Sequence, residues 1–259
     1  MRTAVVAVVK DEERYIAEWI AYQFAIRFDA VILLDNKSTD GTKAAAERFK
    51  QHFDVRVFDW TLTTPDYQRK GYEFALELFR NEFAWMACLD ADEFLVLDRP
   101  LGDMLARHSD AAAIAVPWAM FGSSGHAERP AGLVIESYTQ RAPATFGPNR
   151  HIKSIVRPKQ VRTCRVSHWF EVDGPYVDLA GRAIVDVKAR LDDAPDYAAG
   201  QLNHYFTRSR ADWDAKLARG YHDLQRQPQE FDFYDRNDVR DDSAARWAPK
   251  VRELLATVF

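Results

Sequence analysis

Three acidic residues crowd the stretch "ACLDADEFLVL", residues 87–97: Asp90, Asp92 and Glu93. An apolar run precedes them and another follows. Charged side chains are almost never buried without a partner, so this placement asks what the acids hold. In extended backbone, residues two apart point to one side, which aims Asp90 and Asp92 at a common space and turns Glu93 away into a structural ion pair. Two carboxylates facing one space repel unless positive charge lies between them. A hard divalent cation bound through oxygen, Mg²⁺ or Mn²⁺, meets that need and keeps positions open for phosphate oxygens. A solvated acidic loop is the plainer account of a D-x-D tripeptide. Apolar flanks on both sides favour a sheet edge instead.

The elements that must position these acids follow from periodicity. "TAVVAVV" (residues 3–9) is a continuous apolar run of the kind a buried parallel strand shows. Residues 12–27 carry Ile16, Trp19, Ile20 and Phe24 at helical spacing. "AVILLD" (30–35) reads as a second strand, "STDGTKAAAERFKQHF" (38–53) as a capped helix, and "VRVF" (55–58) as a third strand. A helix opening near Pro65 with Phe74, Ala75 and Leu78 on one face leads to "AWMACL" (84–89), the strand that delivers the acids. Strands alternating with helices predict an α/β fold with a mostly parallel sheet flanked by helices. In such sheets ligands bind beyond the carboxyl ends of the strands, and there Lys10-Asp11-Glu12, Asp35-Asn36 and Asp90-Ala91-Asp92 all fall.

The second half is less regular. "AAAIAVPW" (111–118) reads as a fifth strand, "FGSSGH" (121–126) as a glycine-rich turn, and "KSIVRP" (153–158) as a short strand stopped by proline. Residues 211–225 read as an amphipathic helix with Trp213, Leu217 and Tyr221 inward. No repeat or linker divides the 259 residues, so one domain is expected, with a regular half over residues 1–110 and an elaborated half over 111–259. A net charge of −4 argues against a nucleic-acid partner. The two cysteines, Cys88 and Cys164, lack zinc-site spacing. The opening apolar run is too short to span a membrane, so the chain is expected to be cytoplasmic, with peripheral membrane contact left open.

Other residues are placed for chemistry. Asp35 and Asn36, at the end of the second strand, have side chains suited to bonding a ribose or base, while Ser38 and Asp40 fit equally well as a turn and helix cap.

"VVKDEERYIAEWIAYQFAIRFDAVILLDNKSTDGT" followed by "WMACLDADEFLVL" resembles the GT-A glycosyltransferases of the family 2 type, especially the branch related to family 92. "MFGSSGH", "GLVIESYTQR", "KSIVRP" and "NHYFTRSRADWDAKLARG" extend the resemblance in order over nearly the whole chain. It departs at "VKDEERY", where relatives often carry Asn in place of Asp11. The resemblance implies a nucleotide-diphosphate-sugar donor, UDP-linked first of all, whose diphosphate is bridged by a metal on Asp90 and Asp92. It implies Asp11, Glu13 and Asp35 around the nucleoside, His204 of "QLNHYF" as a late metal ligand, and a glycan or lipid-linked acceptor. It leans toward inversion. The leaving diphosphate needs neutralisation, which the metal supplies and Lys153, Lys216 or Arg219 can assist. The acceptor hydroxyl needs a general base. Glu136, in the otherwise apolar "VIESY", is the first choice because burial there would raise its pKa, with Glu128, His126 and Asp173 as competitors.

Two other classes stand beside this one. A haloacid-dehalogenase-type phosphatase also starts from D-x-D at a strand end, but it wants a hydroxyl where Phe94 stands and places its strand first. A non-catalytic nucleotide-sugar or glycan-binding module would carry the same binding residues, and turnover of donor separates it from an enzyme.

Overall fold

The computed structural model describes residues 1–220 and 226–259. The first half alternates as its periodicity implies: β1 (Thr3–Val9), α1 (Ile16–Ala25), β2 (Ala30–Asp35), α2 (Thr42–Arg48), β3 (Val55–Asp59), α3 (Tyr67–Leu78) and β4 (Trp85–Cys88). There follow β5 (Glu93–Leu97), α4 (Leu101–Arg107), β6 (Ala113–Met120), α5 (Val134–Ser137), β7 (Gln140–Arg141) and β8 (Ile152–Val156). The chain continues through β9 (Val161–Val166), β10 (Trp169–Val172), β11 (Tyr176–Asp178), β12 (Gly200–His204) and α6 (Arg210–Arg219). Last come α7 (Glu230–Tyr234), β13 (Val239–Arg240) and α8 (Ala248–Val258). Tyr221, expected inward on the helix that became α6, lies outside the described residues.

The main sheet runs β3-β2-β1-β4-β8-β6-β12-β5, with β11 also paired to β6. Neighbours from β3 to β4 are parallel, β8 is antiparallel to both β4 and β6, β12 is parallel to β6, and β5 is antiparallel to β12. β1 shows why the strands are mostly apolar. Val5, Ala7 and Val9 pack on one face with Trp19 and Ile20 of α1, while Ala4 and Val6 pack on the other with Tyr72 and Ala75 of α3. Both faces are covered from Ala4 onward, so the one polar side chain of β1, Thr3, stands at the strand's start.

The boundaries differ from expectation where turns compete. The first helix opens at Ile16, because residues 11–13 tie through their N–H groups to Ser38, Thr42 and Asp40, and α3 opens at Tyr67, two residues after Pro65. The apolar run after the acids is a strand of its own, β5, which turns back to lie against β12.

One buried acid belongs to the scaffold. Glu18 of α1 accepts the Val134 and Ile135 N–H groups at 2.8 and 3.1 Å, satisfying donors that open α5. Burial nevertheless dominates and pushes its carboxyl up to about 7. A folded-state value raised above the unfolded one gives stability that is full below the unfolded pKa, near 4.5, and lost as pH rises through 7. Chemical denaturation at pH 5 and pH 8 should therefore show the wild type losing about 3 kcal/mol relative to Glu18→Gln across that window. The constant cost of an amide group in place of one acceptor cancels in the difference. Parallel pH profiles for the two proteins would mean that Glu18 is ionised throughout.

Candidate active site

The D-x-D acids leave the sheet at the carboxyl end of β4. The Leu89 N–H still bonds the Val6 carbonyl at 3.0 Å, and then the chain turns, closed by the Glu93 N–H on the Asp90 carbonyl at 3.0 Å. Asp90 and Asp92 thus reach one cleft from a turn rather than by the strand alternation expected of them. Each finds its own ammonium. Lys153 Nζ lies 2.8 Å from Asp90 Oδ1, and Lys216 Nζ lies 2.8 Å from Asp92 Oδ2.

Register explains how distant residues arrive. The β4–β8 pairing sets Ser154 beside Cys88, so Lys153 projects past the end of β4 toward Asp90. The β12–β5 pairing sets His204 opposite Glu93, and the Tyr205 N–H bonds the Asp92 carbonyl at 2.9 Å. His204 Nε2 then stands 3.4 Å from Asp92 Oδ1. A capping box at Ser209 and Asp212 starts α6, whose last turn carries Lys216 and Arg219 to the cleft.

The electrostatics follow from burial and these contacts. Burial pushes Asp92 up, but Lys216 and then His204 outweigh it and hold the carboxyl well below the usual range. Burial likewise opposes ionisation of Asp90, and Lys153 overcomes it. Glu93 fares differently. Fully buried and beside Asp90, it is held well above the usual range, because Lys153 stands 3.9 Å from it against 2.8 Å from Asp90. Its Oε2 accepts the Asp90 N–H at 2.8 Å, which fixes the turn.

The cleft, ≈ 250 Å³, is lined by Lys10, Lys216, Arg219 and Arg226 against Glu12, Asp90 and Asp92, with Gln68 on one side and Trp118, His168 and His204 on another. Lys216 and Arg219 were candidates from sequence, and Glu12 fell in the Lys10-Asp11-Glu12 cluster after β1; Gln68, Tyr72, Trp118, His168 and Arg208 were not. Glu12 is a hub, 3.0 Å from Arg208 Nη1 and 2.7 Å from Arg219 Nη1. Gln68 and Tyr72, one turn apart on α3, both donate to Asp90 Oδ1, Tyr72 at 3.1 Å. Their i, i+4 spacing on a helix leading into β4 was a faint signal.

Other candidates lie elsewhere. Asp11 and Glu13 tie the β1–α1 turn to the β2–α2 loop: Asp11 Oδ1 accepts the Thr39 N–H at 2.7 Å, and the Glu13 N–H bonds Asp40 at 3.1 Å. Both border a neighbouring depression that shares Glu12, Lys216 and Arg219 with the cleft. Asp35 is buried, with Oδ1 unpartnered and Oδ2 taking the Ser38 N–H at 3.3 Å. Asn36 donates both amide hydrogens, to Trp60 and Leu62 carbonyls at 2.8 and 2.7 Å, so it braces a loop. Glu136 does not join the cleft lining. α5 buries Val134 and Ile135, and Glu136 faces Arg252 of α8, 2.8 Å from Nη1, so burial does not prepare it as a base. Asp173 pairs with Arg162, Glu128 is exposed, and His126 Nε2 meets the Ser137 carbonyl at 3.1 Å. "FGSSGH" is a turn pinned through its Ser123 and Ser124 N–H groups to Asp235 and Asn237, outside the cleft.

A divalent cation fits the donor types but not the whole present arrangement. Asp92 Oδ1 and His204 Nε2 are spaced close to the roughly 3 Å of adjacent ligands on a small octahedral ion. The Asp90 bonds among described residues all fall on Oδ1, to Lys153, Gln68 and Tyr72. As the side chains stand, no three His, Cys, Asp or Glu groups among the described residues converge to hold a metal.

The chain is similar to known glycosyltransferases. A glycosyltransferase family 92 protein of Ricinus communis is 31% identical over 182 residues, 64% of this chain and 30% of that protein. A family 92 protein of Oryza sativa subsp. japonica is 29% identical over 160 residues, 60% of this chain and 26% of its own. The chain therefore spans under a third of the curated relatives it matches. Among solved structures, S. aureus TarS 1–349 aligns with TM-score 0.39 at 21% identity, covering 61% of this chain and 47% of TarS. Glucosyl-3-phosphoglycerate synthase of Mycobacterium tuberculosis, solved with Mn²⁺ and UDP, aligns with TM-score 0.33 at 19% identity, covering 45% of this chain and 44% of the synthase. The family described as "Glycosyl transferase family 2" matches residues 4–160, the stretch that builds β1 to β8 and carries both aspartates and Lys153, so the chain belongs to that family.

Proposed function

We propose that this chain transfers a glycosyl group from a nucleotide-diphosphate sugar, UDP-linked first of all, to a hydroxyl of a glycan or lipid-linked acceptor. One observation carries the reading. Two ionised aspartates at the carboxyl end of β4 sit in a cleft where, among the described residues, four basic side chains outnumber three acidic ones, which suits a diphosphate leaving group. The family membership supports it.

In this reading residues 1–110 take the nucleoside, with Asp35 and its unpartnered oxygen near the base or ribose, and residues 111–259 take the acceptor. The acceptor hydroxyl oxygen attacks the anomeric carbon as the bond to the diphosphate breaks and the hydroxyl proton passes to solvent water, with inversion when attack comes from the opposite face. The electron pair leaves on the diphosphate, and Lys216 and Arg219 stand where charge develops. Mn²⁺ or Mg²⁺, held by Asp92, His204 and a turned Asp90, would add Lewis-acid neutralisation of that charge. Lys153 and Gln68 hold Asp90 in place.

The test is a panel of nucleotide sugars in a thermal-shift assay, with and without Mn²⁺, followed by measurement of nucleoside diphosphate release. A ligand at a hundredfold excess over its dissociation constant adds about 2.7 kcal/mol to stability, a shift of several degrees at this size. If no member of the panel raises the melting temperature and none is turned over, the reading fails.

A further inference from the structure

The cleft crosses strand ends in order: Lys10 and Glu12 after β1, the aspartates after β4, then Trp118 of β6 and His204 of β12. On the proposed reading, with the nucleoside toward β1 and β2 and the diphosphate at the aspartates, the sugar falls at Trp118. Three imidazoles surround that indole, with ring centres 5.0 Å (His151), 5.2 Å (His168) and 4.3 Å (His204) away. His204 faces Asp92, and His151 is not among the lining residues. His168 lines the cleft and has no part in the reading so far.

Its tautomer follows from one bond. Nδ1 lies 2.8 Å from the Ile152 carbonyl, which can only accept, so Nδ1 carries the hydrogen and the neutral ring keeps its lone pair on Nε2. Burial and then Lys153 hold the imidazole below its ordinary value, so it stays neutral. The ring is also fixed in position. Ser154 Oγ donates to the His168 carbonyl at 2.6 Å and Lys153 Nζ to the Ser167 carbonyl at 3.4 Å, locking the β9–β10 turn against β8.

Resting on the proposed transfer, we propose that His168 Nε2 accepts a hydrogen bond from a hydroxyl of the transferred sugar beside Trp118, and so helps set which sugar is used. A fixed acceptor rejects a sugar whose hydroxyl points elsewhere, because its lone pair is then desolvated without a partner.

Two substitutions separate this from a structural role. His168→Asn keeps an amide N–H for the Ile152 carbonyl but is too short to reach the sugar. His168→Gln puts an acceptor near the Nε2 position and gives up the Ile152 bond. Calorimetry uses UDP, GDP and, from UDP-glucose, UDP-galactose, UDP-N-acetylglucosamine and GDP-mannose, the one that wild type binds best. His168→Asn should bind the matching free diphosphate like wild type and the nucleotide sugar about tenfold more weakly. His168→Gln should retain most of the sugar affinity despite lower thermal stability. Equal weakening of diphosphate and sugar in His168→Asn, or no change in either, overturns the proposal, as does a Gln protein weaker for sugar than the Asn protein. Wild type binding nothing in the panel would fail differently, by removing the transfer reading and this one with it.

Discussion

Asp92→Asn is expected to cut turnover of the nucleotide sugar by about a hundred- to a thousandfold in a protein that still folds. The carboxylate is nearly enclosed, its Oδ2 is 2.8 Å from Lys216 and its Oδ1 3.4 Å from His204, so its charge organises both groups. The amide has the same shape and leaves the backbone bond from the Tyr205 N–H to the Asp92 carbonyl untouched. What it removes is the counter-charge that holds Lys216 between this turn and the Phe206 carbonyl. Asp90→Asn should be milder for the fold, because Lys153 has Glu93 within 3.9 Å as a second acid to fall back on. Release of nucleoside diphosphate, with near-ultraviolet circular dichroism as the folding control, measures both. An Asp92→Asn enzyme within about threefold of wild-type turnover would remove Asp92 from the chemistry.

The parts of this site that could be read from sequence are those whose signal is local. β1, β2 and β4 are apolar apart from Thr3 and Asp35 at strand ends, because helices cover both faces of the sheet, and that pattern needs no partner to interpret. The D-x-D acids stand out against those flanks. Even so, periodicity misjudged their route to the cleft, because a turn between Asp90 and Glu93 replaces two residues of strand.

What stayed hidden depends on partners far along the chain. Lys216 and Asp92 are 124 residues apart, and Glu12 and Arg208 are separated by 196. No spacing rule links such pairs before the sheet order is known. Glu136 illustrates the opposite error. An acid within an apolar segment suggested burial, yet α5 is a single turn that points Val134 and Ile135 inward and Glu136 out to Arg252. His168 lies in the aromatic stretch "HWF", residues 168–170. Its tautomer depends on a carbonyl 16 residues earlier and was not legible.

Glu12→Ala should lower the melting temperature by about 10 °C, the result of stranding a buried charge. Arg208 is 4% exposed, and its guanidinium stacks 3.7 Å from the centre of the Tyr15 ring, with Nη1 on Glu12 and Nη2 3.5 Å from the Ala91 carbonyl. Removing Glu12 leaves that cation enclosed with a ring face and one carbonyl. Breaking one side of a buried pair in this way costs about 3–5 kcal/mol, whereas exchanging both sides for apolar groups costs far less. The double variant Glu12→Ala with Arg208→Met should therefore recover much of the stability lost by Glu12→Ala alone. It should not recover donor binding, since Arg208 reaches the carbonyl between the two aspartates and Glu12 also holds Arg219 at 2.7 Å on the cleft wall. Thermal unfolding and calorimetry with a nucleoside diphosphate, run on the wild type, both single variants and the double variant, separate the two effects. Additive losses of stability in the double variant would show that Glu12 and Arg208 act independently, and the hub would then be no more than a contact in the fold.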